Sequence, residues 1–347
     1  MAYTTINKST DYFNTKLYSG TGSSHALTGV GFNPDLVWIK DRGTTYSHTL
    51  TDKIRGTSKE LYTNNTNVET VYSQGITSFD SNGFTLGTDN GINSSGGNKV
   101  SWNWKAGTTG SGTTTGSGTG KAYSYSVDTT AGFSIVKYIG NGTAGHTIPH
   151  HLGTAPHWII VKGIDLAEEW ETYHYAMGNN ISIKLNNTST GDTGSGRWNS
   201  TTPTSSVFSV GNANATNQDG KSFIAYCFAE KTGYNKFGKY TGNGNVNGTF
   251  VYTGFKPSFL IIKNTAVTEH WVMHDNKRPG FNGNGYYLYP NLSNAEVANN
   301  STHTVDLLSN GFKVRSDNDQ WNDVETMMYI AFGQSLVGSN NVPCTAR

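Results

Sequence analysis

The sequence predicts an all-β protein built from three tandem β-sandwich, jelly-roll-like repeats. Three observations carry that expectation: short apolar runs rich in Val, Ile and aromatic rings, a composition suited to turns, and a set of landmarks that recurs three times in order. Charged residues make up 14% of the chain, against about 25% in an average globular domain. Gly supplies 42 of 347 residues, and Ser, Thr and Asn fill the space between apolar runs, as expected for many strands joined by turns. The apolar content lies in large rings, with 19 Tyr, 15 Phe and 8 Trp, which sets the chain apart from a disordered one.

The first landmark is Tyr-x-Gly-x-Gly, at Tyr18-Gly20-Gly22, Tyr138-Gly140-Gly142 and Tyr240-Gly242-Gly244. The second is a Pro, a solid apolar run and a Lys: Pro34 with Leu36–Lys40, Pro156 with Trp158–Lys162, Pro257 with Phe259–Lys263. The third closes each unit, at Val100–Trp104, Ile224–Phe228 and Met328–Phe332. The order is the same each time, with the motif tyrosines 120 and then 102 residues apart, the signature of an internal repeat with extra length between units one and two in the Gly/Ser/Thr tract. The expected organisation is a short N-terminal docking segment over 1–12, repeat one over 13–105, a Gly/Ser/Thr linker over 106–122, repeat two over 123–231, repeat three over 232–335 and a C-terminal tail over 336–347. A flexible linker of that kind lets unit one lie apart from unit two or pack against it. Units two and three, joined only through Thr232–Lys239, are expected to form a fixed pair.

Within each unit the post-Pro run is apolar at successive positions, which reads as a strand covered on both faces. The closing strand alternates. Val100, Trp102 and Trp104 are large and Ser101 and Asn103 small; Ile224, Tyr226 and Phe228 are large and Ala225 and Cys227 small. One face is expected to fill a core and the other to meet solvent or a close neighbour. Trp170–Tyr175 corresponds to Trp271–His274, and Ile181–Leu185 to Tyr286–Tyr289. Asn82-Gly83 and Asn310-Gly311 each signal a hairpin turn before a strand candidate, Phe84–Leu86 and Phe312–Val314.

No catalytic constellation emerges. Gly140-x-Gly142-x-x-Gly145 matches a dinucleotide fingerprint, but His146–His151 follows it where a helix would be needed, so it reads as a turn. Gly116–Lys121 lacks the residues that complete a P-loop. Glu168, Glu169 and Glu171 flank Trp170 without counterparts in the other units, and read as a solvated strand edge. His146, His150, His151 and His157 cluster, but adjacent His150 and His151 point to opposite faces, which weakens a metal reading. His174 and His274 read as packed core histidines, and Asp317-Asn318-Asp319 as a polar turn. Cys227 and Cys344 read as unpaired thiols. No cofactor is called for. Net charge is +1 with Lys and Arg spread singly, so nucleic acid is not an expected partner. No apolar stretch is long enough to span a bilayer, and Met1–Lys16 lacks the apolar core of a signal peptide.

The strings GFNPDLVWIKDR, IRGTSKELYTNN, TSFDSNGFTLG, SWNWKAG, FIAYCFAEKTGYNKFGKYTGNG and LVGSNNVPCTAR resemble proteins of marine tailed phages, a three-repeat family of virion structural or tail-fibre-like proteins carrying a domain of unknown function. The resemblance runs nearly the whole length of the chain. It implies a place on the surface of a virion, with other virion proteins as partners, and brings no catalytic motif. A tail-fibre or receptor-binding component and a capsid decoration or fibre protein are both open, the short segment 1–12 favouring a compact docked protein over a long fibre. A glycan depolymerase is a minor alternative, which would need an acidic pair across a cleft. If a host-surface glycan is the receptor, Trp170, Trp198 and Trp321 are the candidate rings for carbohydrate stacking. A homotrimer is expected by analogy with other phage appendages.

Overall fold

A computed structural model describes residues 3–337. The protein is all-β, and its six antiparallel sheets divide cleanly among the three repeats. Each unit pairs a broad sheet with a three-stranded one. In unit one the broad sheet runs Phe13–Ser19, Asn98–Trp104, Leu36–Asp41, Thr49–Asp52, Lys59–Tyr62, Thr70–Val71 in spatial order. Unit three repeats its first four strands as Asn235–Thr241, Thr326–Gln334, Lys256–Asn264, Val272–Asp275. Unit two has Phe133–Ile139, Ser222–Phe228, Trp158–Gly163 and Glu171–His174 at those places, with Ile181–Lys184 and Asp192–Thr193 beyond them.

The post-Pro strand is covered on both faces because the units share a core. Leu36 and Trp38, Trp158 and Ile160, and Phe259 and Ile261 all enter one central cluster that draws on all three units. The alternate residues Val37 and Ile39, Ile159 and Val161, and Leu260 and Ile262 each turn into their own unit's core, beneath its three-stranded sheet. The closing strands obey the same rule. Trp102 and Trp104, Tyr226 and Phe228, and Ile330 and Phe332 face the central core, while Ala225 and Cys227 face unit two's own core rather than solvent. Small residues stand there because a second sheet packs over them.

The landmark lysines end this strand. Lys40, Lys162 and Lys263 are fully buried, and each amine donates to backbone carbonyls: Lys40 to Asp41 and Thr44 (2.6 and 2.9 Å), Lys162 to Gly163 and Leu166 (2.8 and 3.0 Å), Lys263 to Asn264 and Thr188. Burial lowers all three amines to about 8, since desolvation disfavours the charged form.

The tract at 106–122 is not a free linker. Thr108–Thr113 forms an edge strand of unit two's broad sheet, paired residue for residue with 122–127, and Thr115–Gly116 pairs with His146–Thr147. Its glycines have a packing reason. A Cβ on Gly110 would lie 2.6 Å from the Tyr125 hydroxyl, and one on Gly112 2.9 Å from the Tyr123 ring. The two tyrosines therefore lie over the bare backbone of their cross-strand partners. The extra length before unit two is a hairpin, and unit one is not separable.

The N-terminal segment is not a free docking peptide in its described part. Ile6 enters the central core, Thr4 and Ser9 are buried, and the Ser9 amide donates to the Gln334 side chain at 2.8 Å. Residues 1–2 and 338–347, including Cys344 and most of the 336–347 tail, lie outside the described residues. Among those described, no helix is long and apolar enough to cross a membrane.

The units close into a ring through equivalent contacts. Trp170 of unit two donates its indole N–H to the carbonyls of Tyr62 and Asn65 in unit one (3.0 and 3.1 Å). Trp271 of unit three donates to the Lys184 carbonyl of unit two (2.9 Å), and Lys184 holds the register position of Tyr62. Unit one returns to unit three at the same level, where Thr63 donates to the Pro290 carbonyl (2.7 Å) and Arg42 pairs with Glu296 (2.7 Å).

Candidate functional site

The Tyr-x-Gly-x-Gly landmark is a structural clasp, three times over. A buried Asn at the end of a one-turn helix, Asn93, Asn217 or Asn322, holds the turn from both ends. Its side-chain oxygen accepts from the amide of Thr21, Asn141 or Asn243 (2.9–3.0 Å) and its carbonyl from Gly22, Gly142 or Gly244 (2.7–2.8 Å). The motif tyrosine donates to the carbonyl one residue earlier, on Ile92, Thr216 or Trp321. The first glycine is dictated by proximity, since a Cβ on Gly20, Gly140 or Gly242 would lie 2.1–2.4 Å from a carbonyl oxygen. The second has φ of +61 to +70°, a region that favours glycine. These backbone donors are spent on asparagine, which explains the fingerprint-like spacing at Gly140–Gly145 without a phosphate.

The three candidate stacking rings cannot serve. Trp170, Trp198 and Trp321 are at most 2% exposed and lie in cores or seams. Trp198 packs edge-on against Tyr173 at 5.9 Å, and Trp321 donates its N–H to His274 at 3.0 Å. Polar neighbours in the sequence misled because Trp198 and Trp321 lie in one-turn helices that fold inward and Trp170 stands just before the buried strand Glu171–His174. Glu171 is likewise not a solvated edge: it is fully buried, accepts from Ser182 (2.5 Å) and pairs with Arg197 (3.1 Å). His150 bonds the Thr204 carbonyl, while His151 stacks on Tyr125 at 3.7 Å. His174 and His274 are buried, and burial holds them neutral, lowered to about 4 and about 3. Asn318 caps the Trp321 helix, and Cys227 is buried and free. Among the described residues no three His, Cys, Asp or Glu side chains converge as a metal site.

The repeat supplies its own comparison for what remains. Strand register makes Thr49, Glu171 and Val272 equivalent, and likewise Glu60, Ser182 and Tyr287. In unit three this place is filled by rings, with Tyr287 edge-on to Trp321 at 5.0 Å. In unit two it is filled by Trp198 and by the ion pairs of Arg197 with Glu171 and Asp192. Unit one leaves a pocket of ≈150 Å³ lined by Tyr46, Ser47, Thr49, Glu60, Tyr62, Asp89 and Gly91. A wider depression at Thr44–Tyr46 adjoins it through the Tyr46 ring.

Glu60 is 1% exposed. Its Oε2 accepts from the Tyr62 hydroxyl at 3.0 Å, and its Oε1 has no hydrogen-bond partner. Gly75 leaves the room for that oxygen, since a Cβ there would meet it at 2.3 Å. Burial, and then the nearby Asp89 carboxylate, push Glu60 up to about 7. Asp89 accepts from the Gly91 amide at 2.9 Å and is itself raised by burial. Sequence reading missed Glu60, Asp89 and Tyr46 because they are far apart along the chain and belong to no motif. The clasp asparagines had a signal: they stand seven residues before Val100 and Ile224 and six before Met328.

A family model described as a domain of unknown function, DUF7483, matches residues 8–335. No curated protein and no solved structure matches the chain.

Proposed function

The chain belongs to the DUF7483 family, and we propose that it is a non-enzymatic structural protein of a tailed-bacteriophage particle, displayed on the particle surface and contributing to host attachment. The observation that carries this reading is the closed ring: three sandwiches locked around one shared aromatic core, whose seams are bridged by buried indole and carboxylate groups. Such a body resists local opening, because the inner strands of each broad sheet are covered on both faces. That suits a protein that must persist outside a cell with no disulfide among its described residues. The sequence resemblance to virion structural proteins supports the same reading. Other virion proteins are its expected partners, and trimeric assembly follows by analogy with phage appendages. Recognition of a host glycan is no longer assigned to Trp170, Trp198 or Trp321, which are buried.

Cryo-electron microscopy of purified virions, with this chain fitted to the map, tests the proposal. Density at the distal tail or fibre tips supports host attachment. Density spread over the capsid lattice replaces that role with decoration, and absence of the chain from the particle overturns the virion assignment.

A further inference from the structure

We propose that the unit-one pocket binds a primary ammonium group, with Glu60 and Asp89 as its counter-charges and the exposed Tyr46 ring as the wall for its carbon skeleton. The inference stands whether or not the protein belongs to a particle. The fold does not require an acid at this place, since the equivalent residues are Ser182 and Tyr287 and both are packed or hydrogen-bonded into filled cores. An unpaired buried carboxyl costs stability, and unit one carries one where its sister units do not.

The nearby cations are already engaged. Lys99 pairs with Asp41 and donates to the Asn90 carbonyl and Ser94 hydroxyl (3.2 and 2.8 Å). Arg55 is held by Asp52, Glu69 and the Leu50 carbonyl (2.6, 3.1 and 2.9 Å). What the pocket lacks is therefore positive charge with several N–H donors, as an ammonium provides. A neutral polyol would bring no charge to offset Glu60 and Asp89, whose repulsion Arg55 and Lys99 relieve only in part. A metal ion would find no third carboxylate, imidazole or thiolate among the described residues. The space, ≈150 Å³, equals about five waters at ~30 Å³ each, room for one sugar ring or a short alkyl chain. Tyr46, 41% exposed, already lies under one cation, with the Lys99 amine 5.7 Å from its ring centre.

Two sources share this chemistry, an amino sugar and an alkylamine such as a lysine side chain. Calorimetry on the full chain with n-butylamine, glucosamine and N-acetylglucosamine separates them. Both amines should bind and the acetylated sugar should not. Equal affinity for the two amines assigns an alkylammonium; tighter glucosamine assigns an amino sugar. Affinity for n-butylamine, which stays protonated across this range, should fall about tenfold or more between about pH 8 and about pH 5.5, as Glu60 takes up its proton. Glu60→Gln should abolish binding while the chain stays folded, shown by an unchanged or higher Tm. Tyr46→Ala, at an exposed position that folding does not need, should weaken binding. The proposal is overturned if neither amine binds at about 10 mM, if N-acetylglucosamine binds as well as glucosamine, or if folded Glu60→Gln binds as the parent does.

Discussion

At the seam between units one and two, Arg55 and Asp52 form an ion pair with both side chains fully buried (2.6 Å). Tyr226, from unit two's closing strand, donates its hydroxyl to the same carboxylate at 2.8 Å. The seam between units three and one repeats the design, with Arg278, Asp275 and the Trp102 indole (2.6 and 3.1 Å). The third seam departs from it. Where Trp102 and Tyr226 present a donor, unit three presents Ile330, and the equivalents of Asp52 and Arg55 are His174 and Met177. His174 instead contacts the Tyr329 carbonyl at 3.3 Å, and Met177 packs on the central core. The chain thus contains a charged and a neutral solution to one packing problem. Arg55→Met should leave Asp52 buried without its counter-ion and cost about 3–5 kcal/mol, a large share of the ~5–15 kcal/mol typical of a folded protein. Adding Asp52→His recreates the neutral solution, with an imidazole nitrogen to accept from Tyr226, and should recover all but about 2 kcal/mol. Urea unfolding followed by tryptophan fluorescence at neutral pH measures both. A single variant within about 1 kcal/mol of the parent, or a double variant as unstable as the single, would refute the reasoning.

Other consequences are as direct. Gly20→Ala puts a methyl 2.2 Å from the Ser94 carbonyl oxygen and should lower stability by about 2 kcal/mol or more; in Gly56→Ala a Cβ meets nothing within 4 Å, so strain from its φ of +101° is the only cost and the loss should be smaller, both read from urea midpoints. Glu60 is raised from 4.5 to about 7 in the folded state, so its contribution to stability is full below about pH 4.5 and is lost as pH rises through 7, a change of about 3 kcal/mol at ~1.4 kcal/mol per pH unit. Glu60→Gln should flatten that limb of the Tm–pH curve and raise Tm above pH 7. His174 and His274 titrate oppositely. Their folded values near 4 and 3 lie below the unfolded 6.5, so stability present above about pH 6.5 is lost as pH falls towards 4, and His274→Gln should blunt the acid limb of the same curve.

The fold class and the three repeats were legible because strand periodicity and landmark spacing are local and recur. The shared core was half legible: a run apolar at consecutive positions demands cover on both faces, but nothing in Trp158–Lys162 says that the second cover is another unit. Thr108–Thr113 was misread because Gly and Thr next to Ser look like a linker until Tyr123 and Tyr125 are seen lying over Gly110 and Gly112. Trp170, Trp198 and Trp321 were misjudged for a related reason, since polar flanks in the sequence do not reveal which residues fold inward. The pocket was invisible because Tyr46, Glu60 and Asp89 come from three separate segments. Their meeting becomes informative only when register shows what Ser182 and Tyr287 do at the place of Glu60.

Native-state hydrogen exchange across a urea series tests the closed ring most directly, comparing the amides of Trp102, Tyr226 and Ile330 in the three closing strands. One shared core predicts that all three exchange with the same opening free energy and the same urea dependence, because no unit can open without uncovering the others. An amide of one unit that exchanges at lower urea with a shallower dependence would show that unit opening alone, and the ring would not be a single cooperative body.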